Sequence, residues 1–573
     1  VKTENLFNGR SRTASGKRLT VELTANPDWY AVQALPVVGN PSTDDAVAWA
    51  TAYYANRLAG VLVEANPAIS RVFESWKKSG KDQETLMSNL EKNSDLKDLL
   101  LTETPWVAEA ADEAEQKRRI ALLFDLNGMS SRLQQAADKL RTLQLTDGSW
   151  SWYKGMKGSR YITTQTVELM ARLKAMNISL TDGMEAQYGR ALGYLRKEVK
   201  KVYEQMRIQE RENNIQVRPD EQIVKYLYIC ALDETARKQA DKEINTYFLA
   251  RLTNCSAECS IYEKSLLAVI MHAYGQKRQA ELLLQSVKEY MLATPEMGRY
   301  FDTSKAGYSW NSYKIPTQVA AMEAIWRIAP DQHLLGDMKQ WLLKQKQVQV
   351  WDTPLATADA VYAFLGMGGN RLQVSGSLKA RIGLKTLVTP DDALGYVRQT
   401  YTGADTEVSR IAVVKSGKGL SWGAVYAQYL EDMIRVRPFR TNGLGIVREY
   451  WLGEEQVSAS TRLKPGDKLT VRLMVKADRD MDFVQIKDER ASCMEPAVQL
   501  SGYHWNGGIG YYQVNKDAST EFFIDQMRKG TYVLEYTVYL DRPGTYQAGI
   551  ATIQSAYAPE FNGHTDGVEL TIE

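Results

Sequence analysis

Cysteine and histidine are scarce in this chain, and that scarcity removes two kinds of chemistry together. Four cysteines in 573 residues are too few for a disulfide scaffold. The histidines, His272, His333, His504 and His564, are scattered without ligand spacing, so no metal site is expected. Charge of one sign is lacking as well. Against 71 basic residues stand 69 acidic ones, and a net charge of +2 argues against an electrostatic nucleic-acid binder. No apolar run approaches the ~18 residues that would suggest a membrane span. The chain opens Val1-Lys-Thr-Glu4 with neither an initiator Met nor a signal peptide. The expectation is a processed product or the C-terminal part of something longer.

What is present is ample material for large cores. A length of 573 residues suggests about three to five domains. Two textures alternate. Residues 1–28 contain Leu19-Thr-Val-Glu-Leu-Thr24, an alternating strand pattern closed by Asn26-Pro27. Over 29–366 apolar residues recur at helical spacing, as in Leu86–Leu96 and Thr166–Leu173. From 367 onward strands take over, including Leu469–Val475 and Tyr532–Leu540, punctuated by Gly466, Gly530 and Pro543-Gly544 as in antiparallel sandwiches.

The helical region repeats itself. Asp147-Gly-Ser-Trp-Ser-Trp152 precedes Tyr161–Thr166 and a helix; Gly307–Trp310 precedes Ile315–Ala320 and another; Val350-Trp-Asp-Thr353 precedes Leu355–Phe364. Each unit reads as a tryptophan turn, a Thr-bearing cap and a helix. Short Ala and Thr side chains let helices approach, while an indole fills the gap where two meet. An array of such units suggests closure into an α/α toroid.

The stretch Pro41-Ser-Thr-Asp-Asp-Ala-Val-Ala-Trp-Ala-Thr-Ala-Tyr-Tyr-Ala-Asn56, after Trp29–Pro36, resembles the thioester segment of bacterial alpha-2-macroglobulins. In that family Cys-x-Glu-Gln opens a helix ending in a Tyr-Tyr-Ala-Asn-like sequence, and thiol and amide condense into a thioester that captures nucleophiles. Here Asp45 falls at the Cys position, with Val47 and Ala48 at the Glu and Gln positions; counted from Pro41, Asp44 falls there instead. Neither alignment yields a thiol. Structurally, Ser42 and Asp45 read as a helix cap with an acidic residue in the first turn, and Asp44 and Asp45 suit the positive helix end.

The resemblance spans nearly the whole chain and implies its layout. That layout is multidomain, α and β: a central α/α toroid inserted in a β-sandwich domain, followed by a second antiparallel β-sandwich. Residues 1–28 and 367–437 would form a split CUB-like β-domain, 29–366 the toroid, and 438–573 the terminal macroglobulin-like sandwich. The last is carried by Phe483–Asp488, Gly530–Tyr536 and Tyr557–Phe561. Implied further are a non-enzymatic endopeptidase inhibitor that entraps a protease, noncovalently here, and a periplasmic or cell-envelope location, with any lipid anchor upstream. The family also implies a peptidoglycan-synthesis enzyme as a partner for a structural or docking module. Tyr511 and Tyr512 stand where family members shield the thioester with an aromatic residue, and are candidate interface residues.

Other motifs have plainer readings. The Asp-x-Asp-Asp of toroid terpene cyclases is absent, and a hydrolase pair about 6.5–9.5 Å apart cannot be picked out among the carboxylates. Asp147 and Asp352 sit in tryptophan turns, where turn formation accounts for them. Ser416-Gly-Lys-Gly419 lacks a phosphate-loop frame and reads as a hairpin turn. Glu109–Arg119 reads as a solvated helix face. Cys255 and Cys259, four apart, leave open free thiols, a local disulfide or, with further partners, metal ligands. Cys493-Met-Glu-Pro496 echoes the thioester motif but has Pro in place of Gln. No cofactor is expected.

Overall fold

A computed structural model describes residues 2–4, 7, 13–65 except 33 and 42, 126–301 except 296, and 313–367 except 347–349 and 352. It continues with 376–440 except 390–394, 407–409 and 418–419, and with 443–573 except 459 and 557–560. Leu86–Leu96, Glu109–Arg119, Gly307–Trp310, Ser42 and Asp352 therefore lie outside the described residues.

The chain begins in a sheet. Strand β1 is Lys2–Glu4 and β2 is Ser15–Thr24. Three short or long helices follow, α1 (Trp29–Val32), α2 (Leu35–Val38) and α3 (Ala46–Ala65). After these come α4 (Leu126–Leu143), α5 (Arg160–Ala175), α6 (Asp182–Asn213), α7 (Glu221–Leu232), α8 (Glu234–Gln239), α9 (Lys242–Asn254), α10 (Ile261–Ala273) and α11 (Lys277–Glu289). A hairpin, β3 (Met291–Thr294) with β4 (Gly298–Phe301), interrupts the helices. The last three are α12 (Lys314–Ile328), α13 (Gln332–Lys344) and α14 (Pro354–Leu365).

These helices close into two concentric rings. In the inner ring α3 packs on α5, α5 on α7, α7 on α10, α10 on α12, α12 on α14, and α14 returns to α3. The outer helices α4, α11 and α13 pair with the inner helices next to them in sequence. Burial follows position. On α11 only Ala280, Leu283, Leu284 and Val287 are buried, the single stripe of a surface helix. On α5 every residue from Ile162 to Leu173 is buried, and on α14 every residue from Ala356 to Leu365. An inner helix is covered on all sides, so its polar side chains must find partners within the protein.

All inner helices start at one face of the toroid. Their first turns touch: Arg160 pairs with Asp220 at 2.9 Å, and the Tyr313 hydroxyl donates to Glu221 at 3.0 Å. The helix starts are capped by side chains, Ser159 to the Ile162 amide, Asp220 to Ile223, Ser260 to Glu263 and Thr353 to Ala356. Each satisfies a backbone donor that the helix itself cannot.

Beyond the toroid the chain returns to β structure through β5 (Gly376–Ile382), β6 (Lys385–Val388), β7 (Tyr396–Thr402), β8 (Arg410–Gly417) and β9 (Trp422–Leu430). β2 is the centre of a three-stranded sheet between β7 and β9, and β1 pairs antiparallel with β8. Strands on either side of the toroid thus share sheets. Leu19 to Thr24 are buried on both faces, so the polar members of the alternation point inward too, Thr20 bonding Thr400 at 3.0 Å. Lys418 and Gly419 lie outside the described residues, but β8, which ends at Gly417, and β9 belong to different sheets, so the two strands do not form a hairpin.

The remaining described residues form a two-stranded ladder, Gly544–Ala548 with Val568–Ile572, and two large sheets. One has seven strands in the order Phe439–Arg440, Asn562–His564, Ala551–Ser555, Met481–Glu489, Ser519–Met527, Ile509–Asn515 and Gly502–Asn506. The other has five and is centred on Lys468–Ala477, whose Leu469, Val471, Leu473 and Val475 are buried in strict alternation. They meet Val484, Ile486, Phe522 and Ile524 in one core. The sandwich touches the inner-helix N-terminal face through an ion pair of Lys314 with Asp482, and through Lys344 over the Phe561 ring at 5.1 Å. No described helix is long and apolar enough to cross a membrane.

Candidate functional site

The start of α3 lies on that same face. Asp45 is the cap itself: its Oδ1 accepts the amides of Val47 and Ala48, both at 3.0 Å, and its Oδ2 accepts the Thr43 hydroxyl at 2.6 Å. Asp44 does something else. It accepts the Trp49 indole N–H at 2.6 Å and the Lys139 ammonium at 2.9 Å, and these bonds hold its carboxyl below the usual range. Lys139 also lies over the Trp49 ring at 5.4 Å. The free Ala46 amide is taken by the Trp152 carbonyl at 2.9 Å, which ties the helix start to the first tryptophan turn. Val47 is half-buried and Ala48 buried.

The two described tryptophan turns share one construction. Trp150 and Trp351 are fully buried, donating their indole N–H to Leu140 O at 2.9 Å and Leu342 O at 2.7 Å. Their amides donate to Thr163 and Thr357 hydroxyls. Asp147 shapes its turn by accepting from Ser149, both amide and hydroxyl. Trp152 does not join this packing; it is 45% exposed.

The interior of the toroid holds a charged network that no motif announced. Glu168 accepts from Lys225 at 2.9 Å and pairs with Arg172 at 2.9 Å, and Arg172 also pairs with Asp359. Glu323 accepts the hydroxyls of Tyr228 and Tyr362 and the Arg327 guanidinium. Carboxylates and cations balance. Burial would raise the Glu168 pKa, yet Lys225 and Arg172 outweigh it and hold the group below its ordinary value. At Asp359 burial wins over Arg172 and the pKa is raised. Burial and the Glu323 charge keep both tyrosines protonated as donors. These are clustered carboxylates on a toroid, but each is engaged by a cation or hydroxyl, the arrangement of a polar core rather than of a general acid with its base.

The other sequence candidates are dispersed. Cys255 ends α9 and Cys259 follows a short 3-10 turn; both are free thiols, as are Cys230 and Cys493. Burial pushes Cys230 and Cys259 up to about 12 and raises Cys255 and Cys493, so all four are held as thiols. Among the described residues no group of His, Cys, Asp and Glu is arranged to hold a metal. Tyr511 is buried in the sandwich core, edge-on to Phe522 at 5.6 Å, and so is not a surface aromatic. Tyr512 faces the other way, against Tyr503 at 4.7 Å, and Tyr503, His504 and Trp505 of this hairpin are exposed. Alternation along the strand put the two neighbours on opposite faces.

Fold and site together define a multidomain α and β protein whose toroid interrupts a β-domain and meets a second sandwich at its helix N-terminal face. Residues 443–560 match the family model of the bacterial alpha-2-macroglobulin MG10 domain. The alpha-2-macroglobulin homolog of Nostoc sp. is 22% identical over 480 residues, covering 76% of this chain and 23% of that protein. Circularly permutated Ras protein 2 of Dictyostelium discoideum is 25% identical over 172 residues, 29% of this chain and 4% of its own. The chain thus spans under a quarter of the curated relatives it matches. Native Escherichia coli alpha-2-macroglobulin from domain MG7 to the C-terminus aligns with 98% of this chain and 78% of its own, at 14% identity and TM-score 0.36. Trypsin-activated Escherichia coli alpha-2-macroglobulin aligns with 100% and 35%, at 12% identity and TM-score 0.44. By the domain match and the Nostoc relative, the chain carries a segment like the bacterial alpha-2-macroglobulin MG10 domain and is similar over most of its length to an alpha-2-macroglobulin homolog.

Proposed function

We propose that this chain is the toroid and terminal sandwich of an endopeptidase inhibitor that entraps its target without a covalent bond and catalyses nothing itself. The carrying observation is the pair Asp44 and Asp45. At both positions where the resemblance can put the reactive cysteine stands a committed carboxylate, Asp45 on the Val47 and Ala48 amides and Asp44 on Trp49 and Lys139. A thioester needs a thiol and a glutaminyl carbonyl in one short loop, and 41–50 holds neither. Every cysteine lies elsewhere and is held protonated. We take 1–28 with 367–437 as the split CUB-like domain, 29–366 as the toroid and 438–573 as the sandwich, in a periplasmic or envelope-bound protein.

Of the two candidate interface tyrosines Tyr512 is the one facing outward, and Tyr503 and Trp505 stand beside it. The turn between their strands lies at the end of the sheet that carries Asp482, which bonds the toroid. The test is incubation with methylamine followed by intact mass and thiol titration. No amine mass and no new thiol are expected, and incorporation mapped to 41–50 would overturn the noncovalent reading. Entrapment itself is read on the full-length protein with a protease. Retained cleavage of a small chromogenic substrate with loss of cleavage of a large protein supports it; loss of neither refutes it.

A further inference from the structure

The two tryptophan turns do the same structural work with different lengths of chain. The indole and amide bonds of Trp150 and Trp351 match in kind and length, but the tryptophan is thirteen residues from its threonine in the first turn and six in the second. The extra chain is the loop 151–158. It is stapled at its base, where Ser151 pairs with Gly158 across an isolated bridge and the Ser159 amide donates to Trp150 O at 2.9 Å. A Cβ at Gly158 would sit 1.9 Å from Ser149 Oγ, so the staple is close-packed. Inside it the Met156 amide donates to Tyr153 O, and Gly155 turns the chain at φ 87°. The Trp152 carbonyl is fixed to the start of α3.

What this anchored loop presents is not needed by the turn. Trp152 and Tyr153 stack at 6.0 Å and 15°, each 45% exposed, and Met156 is 50% exposed. Trp, Tyr and Met are side chains enriched where proteins meet, and rings on a fixed backbone lose little entropy on binding. Between and beside them Lys154 and Lys157 are exposed and form no ion pair among the described residues, although neighbouring cations are paired, Lys139 with Asp44 and Arg160 with Asp220. Asp44 feels the Lys154 charge but is already bonded to Lys139, so the apolar anchors are flanked by a net positive charge and suit a ligand that is apolar and negative. A protein segment suits the loop better than an anionic bilayer, because two lysines fall short of the clusters of about 4–8 basic residues that recruit anionic lipid.

We propose that the loop 151–158 is a docking surface for an acidic, apolar segment of a partner protein, with Trp152, Tyr153 and Met156 as anchors and Lys154 and Lys157 selecting the charge. It acts whether or not the chain entraps proteases. The test uses the whole chain and a panel of labelled 12-residue peptides alternating Asp or Glu with Leu, Phe or Trp, beside a matched panel with Lys for the acids. Binding is read by fluorescence polarisation and Trp emission, with vesicles of neutral and anionic phospholipid as a separate arm.

Acidic peptides should bind, weaken as salt rises, and lose at least tenfold in affinity with Lys154→Glu/Lys157→Glu and separately with Trp152→Ser. Unchanged thermal melting of these surface variants keeps loss of binding distinct from loss of fold. No binding by any acidic peptide, equal binding by the lysine panel, or binding indifferent to both variants would overturn the assignment. So would retention on anionic vesicles alone.

Discussion

Replacing Arg172 with Leu tests the reading of the toroid interior most directly. Arg172 is buried between Glu168 and Asp359 and lies over the Tyr362 ring at 5.0 Å. Removing it does not strand Glu168, which keeps Lys225 at 2.9 Å. It does strand Asp359. Breaking a buried pair from one side costs about 3–5 kcal/mol. At about 1–2 °C per kcal/mol for a domain of this size, the toroid should melt roughly 3–10 °C lower. The double variant Arg172→Leu/Asp359→Leu removes both charges together and should recover at least half the loss.

The pH dependence has a definite sign. The raised pKa of Asp359 favours the folded state at low pH, and that advantage is lost as pH rises through the folded value. Without Arg172 the value rises further, so the single variant's deficit should shrink between pH 8 and pH 5. Calorimetry of the whole chain at both pH values is the assay. A single variant melting within about 2 °C of the parent would refute the argument, as would a double variant no better than the single.

Three further outcomes follow from local geometry. Asp45→Ala orphans the amides of Val47 and Ala48 and should cost about 1 kcal/mol, whereas Asp44→Ala loses only an exposed contact and should leave the urea midpoint nearer the parent's than Asp45→Ala does; urea titration of both separates cap from surface pair. Cys230 and Cys259 should be alkylated by iodoacetamide at pH 8 at least tenfold more slowly than in urea, because the thiolate is the nucleophile and both pKa values stand at about 12. Unfolded thiols titrate near ~8.5, so the stability these two groups lend is intact below that pH and drains away toward 12; alkaline melting curves of Cys230→Ala should be flatter than the parent's.

The sequence by itself determined the order of structural textures and the tryptophan turns. Periodicity is a local property: Leu469 to Val475 alternate because one face of a strand meets a core, and Ala280 to Val287 are spaced for a helix stripe. Trp150 and Trp351 sit where a repeat of turn, threonine and helix expects them, since each bonds a leucine carbonyl and a threonine hydroxyl within thirteen residues of it in the chain. The absence of a thiol at 41–50 is likewise legible from residues alone.

Tertiary structure decided what depends on who meets whom. Asp44 and Asp45 are identical in sequence chemistry, yet one caps α3 and the other reaches Lys139, 95 residues away. Trp152 differs from Trp150 by two positions and stands in solvent, because the loop that carries it leaves the packed turn. Tyr511 and Tyr512 parted on opposite faces of one strand. The network of Glu168, Arg172, Lys225, Glu323 and Asp359 draws on four helices spread over nearly 200 residues, with a separation of 187 between Arg172 and Asp359 alone. No spacing rule joins them, because only closure of the ring brings inner helices face to face and removes the water each charge would otherwise keep.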